Sequence, residues 1–168
     1  RLPNEVVHVW KDLAINISQK IELIKNSIFT LLQQHENLIK NFELLLTIPG
    51  IGKDSAIAIL AEIYDINYFK NARQLAAYAG VTPKNIISGS SVRGKPRLSK
   101  MGSKLLRCAL FFPGIVAKNH NPIVMAFCKK LKDRGKHNMA IVGAAIRKLL
   151  HIIFGVLKSK TSFNPSLL

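Results

Sequence analysis

Between Trp10 and Leu45, apolar residues return at alternating steps of three and four. Trp10, Leu13, Ile17, Ile21, Ile24, Ile28, Leu31, Leu38, Phe42 and Leu45 carry the pattern, and His35 takes its one polar step. This spacing follows the helical period and predicts a long amphipathic helix; from Ile21 onward it keeps a heptad seam of the kind coiled coils use. Leu23, Phe29, Leu32, Ile39 and Leu44 widen the stripe, so the helix is expected to pack on its own domain as well as on a partner. A plain core helix explains the same pattern equally well. Residues 1–46 are therefore read as a long helical linker or dimerisation element, and the compact domain is left to residues 47–168.

Thr47-Ile48-Pro49-Gly50-Ile51-Gly52-Lys53-Asp54 ends that helix and starts another. Two glycines around one apolar residue, followed by Ala56, Ala58 and Ala61, resemble a helix-hairpin-helix element. In that element the backbone amides of Gly50 and Gly52 and the next helix's N-terminus face a phosphate, with Lys53 as the adjacent cation. Tight packing of a structural hairpin uses the same glycines. Further on, Asp65 to Asn71 reads as a turn, and Ala72 to Ala79 as a short helix with Gly80 as its C-cap. Another helix is expected from about Gly102-Ser103 to Phe112, closed by Pro113-Gly114. Pro122 opens one running to about Lys132, and Asn138 to Leu157 forms the last. Arg147, Lys148 and His151 interrupt the apolar run Met139 to Leu157, which reads as a buried amphipathic helix rather than a membrane span. No strand alternation is evident. The expected fold class is mainly α: a long N-terminal, coiled-coil-like helix, then a compact helical domain with a helix-hairpin-helix-like element.

Thr82 to Lys100 is a loop rich in hydroxyls and glycine without a single acid, followed by the apolar run that contains Arg107. A serine attacking phosphorus must lose its proton, and the pentacoordinate transition state spreads negative charge over the non-bridging oxygens. Arg93, Arg97 and Arg107, with Lys95 and Lys100, can supply the stabilising charge, and the guanidinium fork binds two phosphate oxygens at once. Arg107 stands among Leu105, Leu106, Cys108, Ala109 and Leu110, where a cation needs a counter-charge, an anionic ligand or a path to solvent. On composition alone, a flexible basic loop that merely touches phosphate is the simpler reading.

Charge sharpens the contrast between the two halves. Residues 1–65 hold six Lys/Arg against eight Asp/Glu, whereas residues 66–168 hold nineteen Lys/Arg against Asp133 alone. Such asymmetry suits a polyanionic partner, since each neutralised phosphate releases counterions. Lys129, Lys130, Lys132, Arg134 and Lys136 form the densest cluster, either a solvated face or a surface that tracks a nucleic-acid backbone. Cys108 and Cys128 suit reduced core thiols in a cytoplasmic protein. His8, His35, His120, His137 and His151 show no paired ligand spacing, and the basic half lacks the carboxylates that metal-dependent strand cleavage needs. No metal site is expected in the chain. It opens at Arg1 without an initiator Met, so it is expected to be part of a longer polypeptide.

At Pro49-Gly50-Ile51-Gly52, Ala79-Gly80-Val81-Thr82-Pro83, Ser88-Gly89, Arg97-Leu98-Ser99-Lys100-Met101-Gly102 and Leu106-Arg107, order and spacing match a known family. Arg147-Lys148-Leu149-Leu150 and Gly155-Val156-Leu157-Lys158 continue the match. Over residues 45–165 the chain resembles the C-terminal transposase domain of the IS110/IS116/IS902 family of bacterial insertion-sequence transposases; residues 1–44 resemble the helical linker before it. The resemblance implies a transposase or recombinase of mobile DNA, cytoplasmic, whose partners are DNA, a structured guide RNA and a second copy of itself. It implies a serine nucleophile that bonds covalently to DNA. By position this is Ser88, with Ser90 and Ser91 as fallbacks and Arg93, Arg97, Lys100 and Arg107 around the scissile phosphate. It further implies an N-terminal RuvC-like domain, absent from this chain, whose four acidic residues bind divalent metal; this chain alone should then bind nucleic acid without recombining it. The alternative function is a non-catalytic helical nucleic-acid-binding module, and a purely structural role for the long helix is a weaker third.

Overall fold

The computed structural model describes residues 3–88 and 92–167. The chain divides into two compact units, Arg1–Ile39 and Lys40–Leu168. In the first, α1 (Asn4–Gln33) is a helix of 30 residues. Its seam residues Trp10, Leu13, Ile17, Ile21, Ile24 and Leu31 are all exposed, while Leu32 on the widened stripe is buried. The expected continuous helix to Leu45 is broken at Gln34–His35. The His35 carbonyl accepts from the Leu38 and Ile39 amides and starts α2 (Glu36–Leu46). A polar residue on the seam supplies no apolar burial to carry a helix through, and the break falls on that residue.

The second unit is built around α8 (Asn138–Ser159), whose Ile141, Ala145, Leu149, Leu150, Ile152, Ile153, Val156 and Leu157 are buried. Burial of this order, about 1.5–3 kcal/mol for each large aliphatic side chain, is the main force holding the unit together. By length and composition alone α8 could cross a membrane, but 56% of its most apolar window is buried inside the protein. Packed on it are α4 (Ala72–Tyr78), α6 (Phe111–His120) and α7 (Pro122–Asp133), while α3 (Lys53–Ile63) packs on α5 (Lys104–Ala109). The helix expected to close at Pro113-Gly114 instead ends at Ala109, and both residues lie in the first turns of α6. There a proline lacks only an amide hydrogen that has no partner anyway. Asn121 is fully buried, caps α7 through its side-chain oxygen on the Ile123 and Val124 amides, and reaches the Pro49 carbonyl with its amide nitrogen. The C-terminal tail returns to α2: Lys160 Nζ donates to Asn41 and the Phe163 amide to Thr47 Oγ1.

The segment read as a loop is a β-hairpin. β1 (Pro83–Ser88) and β2 (Val92–Leu98) pair antiparallel, with Pro83 opposite Leu98, Lys84 opposite Arg97, Ile87 opposite Arg93 and Ser88 opposite Val92. A register shift between Lys84 and Ile86 leaves one extra residue on β2, where Lys95 and Pro96 stand. A bulge accommodates a proline that cannot donate to the ladder. The serine-rich and proline-bearing composition hides the short apolar runs Ile86-Ile87 and Val92 from a search for alternation.

Candidate functional site

The root of the hairpin is fastened by backbone hydrogen bonds. The Ser99 amide donates to the Thr82 carbonyl and the Lys100 amide to the Gly80 carbonyl, continuing the ladder past both strands. Lys100 sits at φ +56, a left-handed conformation costly for a residue with a side chain. Gly102 at φ +135 brings the chain so close to α4 that a Cβ there would run into the Tyr78 carbonyl. That carbonyl accepts from the Ser103 amide at 2.7 Å, while Ser103 Oγ donates to Glu62 at 2.6 Å and caps α5 on the Leu106 amide.

Arg107 closes this clasp. Half-buried, it donates from its guanidinium to the Ala79 carbonyl at 2.9 Å, the C-cap of α4, where a cation also meets the negative end of the helix dipole. The sequence leaves Arg107 a counter-charge, an anionic ligand or a path to solvent; in the fold its partner is a helix carbonyl. The sequence-predicted site residues are thus distributed along the hairpin. Arg93 stands opposite Ile87, one step along from the Ser88–Val92 pair. Arg97 pairs with Lys84, four residues from Ser88 along β1, about 13 Å away at the rise of an extended strand. Lys100, exposed, and Arg107 are at the root. Gly89 and the alternatives Ser90 and Ser91 fall outside the described residues.

In the helix-hairpin-helix element, Gly50 has φ +107, and a Cβ would come within 2.9 Å of Ala117 on α6. Packing therefore dictates this glycine. Gly52, the N-cap of α3 at φ −96, has open space where its Cβ would be, and Lys53 beside it is exposed. Of the pair, Gly52 and Lys53 present the free N-terminus.

A cleft of about 660 Å³ opens between the hairpin root, α7 and α8. Its charged lining is Arg73, Arg97, Lys136, Arg147 and Lys148, joined by His151, with no Asp or Glu. Among the described residues none of these five cations makes an ion pair. The apolar walls include Leu98, Phe127, Leu131, Met139 and Ala144. Leu98 seats the hairpin on α8: a Cβ at Gly143 would lie 3.2 Å from its Cδ1. His151 Nε2 is buried without a hydrogen-bond partner. Burial, then the charges of Arg147, Lys148 and Arg73, push its pKa below the ordinary 6.5, which favours the neutral ring. Elsewhere burial raises the Cys128 thiol, against the opposing charge of Lys118, and makes it a poor nucleophile.

Only Arg97 of the cleft residues was predicted from the sequence as a site residue. Arg73, Lys136, Arg147 and Lys148 come from three separate stretches, and only the packing of α4, α7 and α8 gathers them. The detectable signal was Arg147-Lys148 inside an otherwise apolar helix. Chemically the cleft offers fixed positive charge over an apolar floor, a surface for an anion that carries a flat apolar part. Among the described residues no three of His, Cys, Asp and Glu converge.

The family described as Transposase IS116/IS110/IS902 matches residues 42–129, a span that includes the helix-hairpin-helix element, the β-hairpin and the clasp. The pilin gene-inverting protein of Moraxella bovis is 34% identical over 148 residues, covering 88% of this chain and 46% of that protein. The transposase for insertion sequence element IS1111A of Coxiella burnetii is 26% identical, covering 98% of this chain and 50% of that protein. An uncharacterized 43.6 kDa protein of insertion element IS110 from Streptomyces coelicolor is 29% identical, covering 71% of this chain and 29% of its own length. The chain spans about half the length of the first two.

Proposed function

Because the chain belongs to the IS116/IS110/IS902 family of transposases, we propose that it is the serine-bearing part of a DNA transposase or recombinase, with Ser88 as the nucleophile. The observation that carries this reading is the place of Ser88 at the end of β1, opposite Val92. The strands it joins hold Lys84, Arg93, Lys95 and Arg97, with no Asp, Glu or His from Thr82 to Lys100.

Ser88 Oγ attacks phosphorus and gives up its proton; an Oγ–P bond forms as one ester P–O bond breaks, and the departing oxygen takes a proton. The phosphoserine keeps the energy of the phosphodiester. A hydroxyl of a second strand then attacks phosphorus, reforms a phosphodiester and releases Ser88. The cations of the ribbon, Arg93 among them, stabilise the charge on the non-bridging oxygens. Arg97, Lys100 and, through the root it fastens, Arg107 position the strand on either side. From Thr82 to Lys100 there is no His or carboxylate to take the serine proton, so a base from outside the hairpin is part of this reading. Gly52 and Lys53 offer a second, sequence-independent phosphate contact at the start of α3. The partners of this reading are DNA, a structured RNA and a second copy of the chain, the last supported by the exposed seam residues of α1.

The deciding experiment traps the covalent protein–DNA species with the intact transposase. Adduct lost in Ser88→Ala and kept in Ser90→Ala and Ser91→Ala is the expected outcome; adduct kept in Ser88→Ala and lost in Ser90→Ala overturns the assignment. A second reading, a non-catalytic nucleic-acid-binding module, draws support from the basic cleft. It requires full-length Ser88→Ala protein to recombine DNA as well as the wild type.

A further inference from the structure

The cleft has two features that no single simple ligand explains. A duplex backbone needs cations but no apolar walls, and an apolar ligand needs walls but not five cations. An unpaired nucleotide needs both: its phosphate takes the charge, and its base, freed from a helix, takes the aromatic and aliphatic surface. The cleft volume of about 660 Å³ lies within the range of sites that enclose a ligand of that size, about 300–1,000 Å³. Phe127 on α7 is half-buried, fixed by packing yet open to the cleft, as a stacking platform must be. Met139, 62% exposed, stands at the mouth.

We propose that the cleft between the hairpin root, α7 and α8 holds an unpaired nucleotide of a nucleic-acid strand. Its base lies against Phe127 and Leu131 and its phosphates on Arg97, Arg147 and Lys148. The shared chemistry is the nucleoside phosphate, from a displaced DNA strand or from an unpaired stretch of RNA. The inference rests on the reading that this chain handles nucleic acid, but not on Ser88 as nucleophile.

The test is fluorescence anisotropy on the whole chain with short labelled oligonucleotides: single-stranded DNA, the same sequence as RNA, a blunt duplex, and a single strand with abasic positions throughout. Phe127→Ala is expected to weaken single-strand binding roughly five- to 150-fold, the effect of removing one stacking platform, and to leave the duplex unchanged. The abasic strand should bind the wild type as poorly as the natural strand binds Phe127→Ala, and this arm needs no variant to fold. Met139→Glu, at an exposed position that folding tolerates, places a carboxylate at the mouth and should weaken single-strand binding more than duplex binding. Arg147→Gln should lower the salt slope for single strands by about 0.7. Tighter binding of either the RNA or the DNA strand names the source and supports the site. Abasic and natural strands binding alike overturn it, as does a folded Phe127→Ala chain that binds single strands normally or loses duplex equally. A chain that binds the duplex but no single strand sinks this inference alone. One that binds no nucleic acid at low salt sinks the functional reading with it.

Discussion

The two ends of the β-hairpin are built in opposite ways. At its root, close packing and hydrogen bonds fix the chain: Gly102 against Tyr78, Ser103 between Glu62 and α5, Arg107 on the Ala79 carbonyl, and Leu98 on Gly143. At the other end, Ser88 is paired only with Val92, in a sheet of two strands. A two-stranded ribbon is marginal by itself, so the clasp at the root is what gives the ribbon a fixed place. From Arg97 at the cleft to Val92 opposite Ser88 the backbone covers about 17 Å. A strand of nucleic acid lying along it advances about five base steps of 3.4 Å. On the proposed reading the chain separates holding from reacting: Arg107, itself held on the Ala79 carbonyl, stands at the root, and Ser88 stands at the far end of β1.

The largest expected effect tests the reacting end. Ser88→Ala should lower adduct formation by the intact transposase about a thousandfold or more, as removal of a nucleophile does. It should also leave the chain's stability within about 0.5 kcal/mol. A large stability loss would mean that the Ser88 end is built like the root, and the comparison would fail. Next comes the root. Gly102→Ala must meet the Tyr78 carbonyl at φ +135, and Gly50→Ala the Ala117 backbone at φ +107. Each should cost about 2–4 kcal/mol through combined strain and overpacking, read as a fall in the urea midpoint at constant slope. Gly52→Ala, with open space around it, should cost less than about 1 kcal/mol.

That ranking of glycines marks the limit of what the sequence made legible. Several helix ends were readable because local chemistry encodes them: Gly80 after α4, Gly102-Ser103 before α5, Pro122 opening α7. The family was readable because its motifs are local too. Gly50 and Gly52 looked alike because the sequence does not say that Ala117 lies over one of them. The hairpin was missed because its apolar residues are few and its bulge carries a proline, so the strands depend on their fastened root more than on propensity. The long helix was drawn through His35 because periodicity counts positions and not burial. The cleft was invisible because Arg73, Arg97, Lys136 and Arg147 meet only in the folded chain.

Arg107 separates two roles that its sequence position confounds. As a C-cap of α4 it contributes about 1.5–3 kcal/mol through a charge-assisted hydrogen bond, so Arg107→Met should lower stability by that order in denaturant melts. Arg107→Lys keeps a positive charge near the helix end but loses the planar fork, and should recover only part of the stability. Full activity in an Arg107→Met protein refolded at low temperature would show that its charge is not needed at phosphorus. An inactive but stable Arg107→Lys protein would move Arg107 from the holding end to the reacting one.

The smallest effect concerns His151, on the wall of the cleft. Its folded pKa lies below the ordinary 6.5, from burial first and then from Arg147, Lys148 and Arg73. As pH falls below about 6.5 the unfolded chain therefore takes up a proton that the folded chain resists. Stability linked to this group is fully present above that pH and is lost as the solution becomes more acid, the direction linkage requires when the unfolded state binds more protons. The thermal midpoint should fall between pH 7.5 and pH 5.5, and His151→Leu, which carries no proton, should flatten the fall. An anion in the cleft opposes the same three charges and should raise the His151 pKa, so saturating single-stranded oligonucleotide should shrink the acid loss in the wild type and change nothing in His151→Leu. If the oligonucleotide stabilises both proteins equally at both pH values, then the nucleotide phosphate sits away from Arg147 and Lys148, and the holding end of the molecule must be sought on the exposed lysines of α7 instead.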